Sequence, residues 1–157
     1  HLPEQRPAIV PLELWRNAHS SSGHGDELAP CLTADTELSG ELASELRTAP
    51  FVAIHFPVFT DGRGYTLARL LRERYNITGE IRAVGDVLID QLFYMRRCGF
   101  DAFTLREDQL LEPAVKALNA FSLSYQPGVD VREPLFARRV RESGTSQMEA
   151  TPAELVD

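Results

Sequence analysis

From Asp35 onward, short apolar runs of strand length alternate with stretches in which apolar residues return every third or fourth position. Leu38, Leu42 and Leu46 define one apolar helical face, with Asp35 or Thr36 placed to cap its start and Pro50 to close it. Phe51–Phe56 reads as a strand covered on both sides. A loop over 57–65 leads to a helix with Leu67, Leu70, Leu71 and Tyr75 inward, and with Arg69, Arg72 and Glu73 facing water. Glu80–Gly85 predicts the next strand. Asp86 then caps a helix whose buried stripe is Leu88, Leu92 and Met95, with Gly99 as its left-handed C-terminal residue.

Asp101–Leu105 predicts another strand. The helix after it opens at Glu107 or Asp108 and buries Leu111, Ala114, Val115, Leu118 and Phe121, with Pro113 confined to its first turn. Ser122–Tyr125 predicts a last strand. Such strand–helix alternation implies an α/β fold: a mostly parallel sheet with helices on its faces, joined by right-handed crossovers. An open doubly wound sheet is the preferred arrangement, a partial barrel the alternative. The pattern divides the chain into a peripheral segment at 1–30, the α/β domain at 31–126 and a tail at 127–157.

The flanks are less regular. Ile9–Trp15 alternates weakly, with Pro11 interrupting a strand pattern. His19–Gly25 has the small polar composition of a flexible loop, and Leu28–Leu32 that of a short edge strand. Pro127, Gly128 and Pro134 break the tail, which carries the basic run Arg138–Arg141 and is expected to be mobile at its end.

Composition narrows the partners. The 157 residues are 43% hydrophobic and 25% charged, as in a globular chain, and the net charge of −7 argues against nucleic acid. No apolar stretch reaches the ~20 residues of a membrane span, and no signal peptide is visible. Cys31 and Cys98 make no disulfide framework, so a cytoplasmic setting is expected. Of the sixteen basic residues only Lys116 is lysine. Coding bias explains that as well as a need for bidentate anion contacts does.

The candidate chemistry lies at predicted strand-to-helix turns. Thr60, Asp61, Gly62, Arg63, Gly64, Tyr65 and Thr66 combine glycines that permit close approach, a helix start suited to an oxyanion or carboxylate, and a bidentate donor. Thr66 is the expected cap, and Asp61 either orders the loop or acts as a base. The plainer reading is an ordinary turn. Arg82 and Asp86 fall on the next strand and its exit, at the edge where open α/β sheets bind ligands, although capping alone accounts for Asp86. Asp90, Tyr94 and Arg97 share a helix face, either an exposed ion pair or a partner-binding surface.

Other chemistries find little footing. Cys98 fits a buried apolar position better than a redox thiol. His1, His19, His24 and His55 form no zinc-ligand spacing; His55 reads as a core histidine, and His19 and His24 as adventitious metal binders in a loop. No dinucleotide fingerprint, nucleotide P-loop or serine-hydrolase elbow is present. Thr60, Gly62, Gly64 and Thr66 loosely match the phosphate loop of flavodoxins. No cofactor is evident, and flavin stays open.

Phe56-Pro57, Phe59-Thr-Asp-Gly-Arg-Gly-Tyr65, Ala68-Arg-Leu-Leu-Arg72, Gly79-Glu-Ile-Arg-Ala-Val-Gly-Asp-Val-Leu88, Asp90-Gln-Leu92 and Met95-Arg-Arg-Cys-Gly-Phe-Asp-Ala-Phe103 resemble, in order, a bacterial family labelled as oxidoreductases of sulfite reduction. Its members are encoded beside assimilatory sulfite reductase. The resemblance implies an accessory protein of sulfate and sulfite assimilation and carries over no catalytic residues. Three expectations follow: an accessory protein binding a small anion at the strand carboxyl ends, a small-molecule enzyme using Asp61, Arg63, Arg82 and Asp86, or an assembly partner of sulfite reductase. Self-association is a further expectation for a small parallel sheet with exposed edges.

Overall fold

The computed structural model describes residues 7–22 and 27–148. Five parallel strands form one open sheet: β1 (Ala8–Pro11), β2 (Leu28–Leu32), β3 (Val52–Phe56), β4 (Ile81–Gly85) and β5 (Ala102–Phe103). Between and after them run α1 (Leu12–Ser22), α2 (Gly40–Leu46), α3 (Arg63–Glu73), α4 (Leu92–Cys98), α5 (Leu111–Leu118) and α6 (Leu135–Met148), with a 3-10 turn at Ile89–Gln91. The repeated strand–helix architecture is as expected, and the sheet does not close into a barrel.

Strand order follows chain order, β1-β2-β3-β4-β5. The winding therefore runs one way, where two-way winding was the preferred expectation, and no reversal creates a switch-point crevice. In register, Leu32 stands beside Ile54, and Ile54 beside Ala83. These residues share a face with Val52, Phe56 and Ile81, and pack against Leu42 and Leu46 of α2, Leu67, Ala68 and Leu71 of α3, Leu92 and Met95 of α4, and Ala114 of α5. The opposite face carries a small cluster of Ala29, Phe51 and Ala53, flanked by Cys31 and Val84, with no helix residue in it. The helices thus gather on one side.

The flanks depart from the sequence reading. The segment set apart as peripheral supplies β1 and α1 to the same sheet and helix layer, and β2 is internal because β1 pairs beside it over Ala8–Pro11. Pro11 is the last residue of β1, at the edge, where a missing amide costs no ladder bond. The helix that follows buries Trp15 and stacks His19 on it at 5.1 Å, so His19 belongs to a helix and not to a loop. Ser39, not Asp35 or Thr36, caps α2, its Oγ accepting the Leu42 amide at 3.1 Å. Helix α5 starts at Leu111, later than predicted, and Ser122–Tyr125 forms no strand. With only two residues in β5, little ladder remains on that side. The tail holds α6; His1, His24 and residues 149–157 lie outside the described residues.

Arg72 does not face water. Its guanidinium donates to the carbonyls of Gly99 (2.9 Å), Ile77 (2.6 Å) and Gly79 (2.8 Å) and pairs with Asp101, whose carboxylate also accepts the Ile81 amide at 2.9 Å. One side chain thereby joins the end of α3, the start of β4 and the C-terminus of α4. Gly99 has the anticipated left-handed backbone, φ 108°. No helix among the described residues is long and apolar enough to cross a membrane.

Candidate functional site

The loops leaving the carboxyl ends of β3 and β4 are tied to each other. Asp86 Oδ2 accepts the Phe59 amide at 2.8 Å, and Gln91 Nε2 donates to the Phe59 carbonyl at 2.9 Å. Asp61 therefore lies two residues along a loop that Asp86 holds, and the two turns singled out in the sequence do meet at one rim. Asp86 does not cap α4: the turn after β4 delays that helix to Leu92, and the carboxylate reaches the neighbouring loop instead.

The cations of this rim are occupied by the chain's own carboxylates. Arg63 forks onto Asp61, Nε to Oδ1 at 3.0 Å and Nη2 to Oδ2 at 2.8 Å, and its Nη1 pairs with Asp35. The Asp61 carboxylate also accepts the Arg63 amide at 3.1 Å, so it fills the place at the start of α3 where an external anion was expected. The hydrogen bonds from Arg63 hold the Asp61 carboxyl below the usual carboxylate range. Arg106, not singled out in the sequence, repeats the arrangement. It forks onto Asp108 through two 2.7 Å bonds and donates to Asp86 at 2.8 Å, pulling the Asp108 carboxyl down to about 2. Two arginines lie among four carboxylates, which leaves this rim acidic.

The remaining residues of the motif serve the fold. Gly62 has ordinary right-handed backbone, φ −79°, with open space around it. Gly64 is buried where a Cβ would stand 2.6 Å from Phe56 Cζ, so its smallness seats α3 on β3 and clears no path for a ligand. Thr66 lies inside α3, exposed, and caps nothing, because the helix begins three residues earlier at Arg63. Thr60 is exposed in the loop. Tyr65 packs its ring on Phe56 at 5.3 Å and Tyr94 at 5.2 Å, and burial pushes its hydroxyl up to about 12.

Arg82 is not at this rim. It projects from the helix-free face, bonds Glu80 at 2.6 and 2.9 Å and lies 4.2 Å over the Phe51 ring, near the amino ends of the strands. The expected Asp90, Tyr94 and Arg97 face is also divided. Tyr94 is exposed, but Arg97 turns toward the tail, pairing with the Gln126 carbonyl and approaching Asp130 at 3.6 Å. Cys98 is buried, and desolvation raises its thiol, as befits an apolar packing residue.

One concavity was not anticipated. A groove of about 960 Å³ opens at the carboxyl ends of β1, β2 and β3, bounded by the β1–α1 junction and the β2–α2 loop. His55 reaches it as an exposed residue, not as the core histidine expected, because the end of β3 presents it to the face without helices. Cys31 lines it half-buried, with its thiol raised by desolvation. Helical spacing of Leu12, Trp15 and Ala18 immediately after a strand was the available signal for the helix whose first turns line it. Among the described residues no three His, Cys, Asp or Glu side chains cluster as a metal site.

These features define a small one-way-wound α/β protein with an acidic rim at the ends of β3 and β4 and a separate groove at the ends of β1–β3. The chain belongs to the DUF934 family, bacterial proteins of unknown function, whose model matches residues 31–136. No curated protein matches it.

Proposed function

We propose that this chain is a non-catalytic accessory protein that binds a protein partner through the apolar side of α5 and the segment after it. The observation that carries the reading is the mismatch between the composition of α5 and its packing: Ala114 is its one buried residue, while Leu111 is 74% and Val115 52% exposed. Phe121, Leu123 and Tyr125, in the segment after α5, are exposed as well, Phe121 lying edge-on to Phe93. A group of exposed apolar side chains of that kind marks an interaction site.

The acidic rim favours this reading over the two alternatives. A free oxyanion has to displace Asp61 and Asp35 from Arg63, or Asp86 and Asp108 from Arg106. An acid–base site needs Arg82 beside Asp61 and Asp86, and Arg82 is engaged elsewhere with Glu80. The resemblance described above makes assimilatory sulfite reductase the partner to test. Co-purification with that reductase is expected, with loss in a Leu111→Asp/Val115→Asp variant that keeps its melting temperature. Undiminished capture by this variant, or no capture by the native chain, rejects the proposal. Gene deletion should impair growth on sulfate and spare growth on cysteine; equal growth on both removes the sulfite link alone.

A further inference from the structure

We propose that the groove at the carboxyl ends of β1–β3 binds a small organic cation with an apolar body, an aryl- or alkylamine in chemical class. The inference is independent of the partner surface on α5. It starts from size: about 960 Å³ lies at the upper end of the range of small-molecule sites, roughly 300–1,000 Å³. Location follows from the one-way winding. Without a strand-order reversal, the opening at the carboxyl ends falls where the chain leaves β1 directly into α1 while the β2–α2 loop bends away through Thr33–Ser39.

The lining decides the ligand's chemistry. Leu12 and Leu38, both partly packed on the core, give one apolar wall. Thr33 and Thr36 are folded onto each other, the Thr36 Oγ1 accepting the Thr33 amide at 3.0 Å and the Thr36 amide reaching the Thr33 carbonyl at 3.0 Å, so this stretch of loop is internally braced. Charge is one-sided. Arg16, the groove's arginine, is held by Glu45 at 2.6 Å. Glu13 and Glu37 line the groove, and among the described residues neither carries an ion pair. An anion entering the groove meets two carboxylates without ion pairs, against one arginine whose Nε is already engaged by Glu45. An ammonium group meets two partners, and its hydrocarbon part meets the leucine wall.

His55 completes the floor. Its imidazole rests on Gly85: a Cβ there would stand 2.9 Å from Cδ2 and 3.0 Å from Nε2. The missing side chain at Gly85 leaves room for the ring beside it, and the imidazole lines the groove.

The test uses the full chain, ¹⁵N-labelled, and two probes of matched shape and opposite charge, benzylamine and benzoate. Benzylamine should move the amides of Thr33, Thr36 and Glu37 and the His55 ring signals. Benzoate should bind about tenfold more weakly, the scale expected of two nearby unpaired charges in water. A Glu13→Gln/Glu37→Gln variant should bring the two probes to within about twofold, with all other shifts unchanged, because both substitutions are isosteric and break no ion pair. Equal binding of benzoate by the native chain, selectivity that survives the double substitution, shifts confined to the α5 surface, or no shifts at all would each overturn the assignment.

Discussion

Asp86 and Phe59 are joined by a 2.8 Å bond from the Phe59 amide to Oδ2, which together with the Gln91 bond to the Phe59 carbonyl ties the β3 and β4 loops to each other. The other Asp86 oxygen receives Arg106. Asp86→Ala therefore releases a backbone donor and one arginine contact at once, at a cost of about 1–2 kcal/mol. Hydrogen exchange should report the change locally, with the Phe59 amide exchanging faster while those of β3 do not. Uniform acceleration across the sheet would mean that the bond supports the whole fold and not this rim.

Arg72 serves three carbonyls and Asp101 from a side chain only 11% exposed. Arg72→Ala strands those acceptors and is expected to cost about 2–4 kcal/mol. Arg72→Lys keeps the charge without the planar fork, so it should recover less than half of the loss. Denaturant midpoints of the three proteins check this; full recovery by lysine would make charge, not geometry, the operative property.

Two glycines of the rim should behave oppositely. At Gly85, φ is +98° and a Cβ would meet the Phe56 carbonyl oxygen at 2.3 Å, so Gly85→Ala should destabilise by about 2 kcal/mol or more. At Gly62 the backbone is right-handed and the surroundings open, so Gly62→Ala should change stability by less than about 0.5 kcal/mol or raise it slightly. Thermal melts of the pair suffice.

Acid should act through the carboxylates that clamp arginine. Asp61 and Asp108 are held below the ordinary carboxylate range, Asp108 at about 2, by hydrogen bonds from Arg63 and Arg106. A depressed folded-state value stabilises the fold above the unfolded value, near 3.9 for aspartate. That stability is lost as pH falls from about 4 through 2. Asp108→Asn should flatten this part of the stability–pH curve and leave the neutral-pH slope unchanged, as chemical denaturation at stepped pH will read.

Alkali acts on a different residue. Burial, reinforced by the negative groups around it, raises Tyr65 to about 12, so the folded state resists its ionisation. Its contribution is complete below about pH 10, the unfolded value, and declines as pH rises toward 12. Tyr65→Phe should remove that alkaline decline. Absorbance of phenolate during a pH titration should show a late-ionising tyrosine that Tyr65→Phe removes.

Much of the architecture was legible because local chemistry dictated it. Gly99 follows the last buried turn of α4 and has the left-handed backbone that such a stop requires, and the apolar runs at 51–56 and 80–85 became adjacent parallel strands. What failed to read locally depended on partners distant in sequence. Ser122–Tyr125 has the length and place of a strand, yet β5 contributes only two residues and gives it no ladder to join. Leu111 and Val115 have the spacing of a buried face, and only Ala114 between them finds the core. At the rim, Asp61 and Arg63 were visible as a pair of candidates, but the second carboxylate on Arg63, Asp35, arrives from the β2–α2 loop and was not. His55 looked internal because its neighbours are apolar; strand alternation puts it on the other face, and its exposure follows from the absence of helices from that side of the sheet.

A sheet whose spatial neighbours are also its chain neighbours asks little of the search for its native state. Each strand pairs with the one before it across a single strand–helix crossover, so no pairing has to wait for a distant part of the chain.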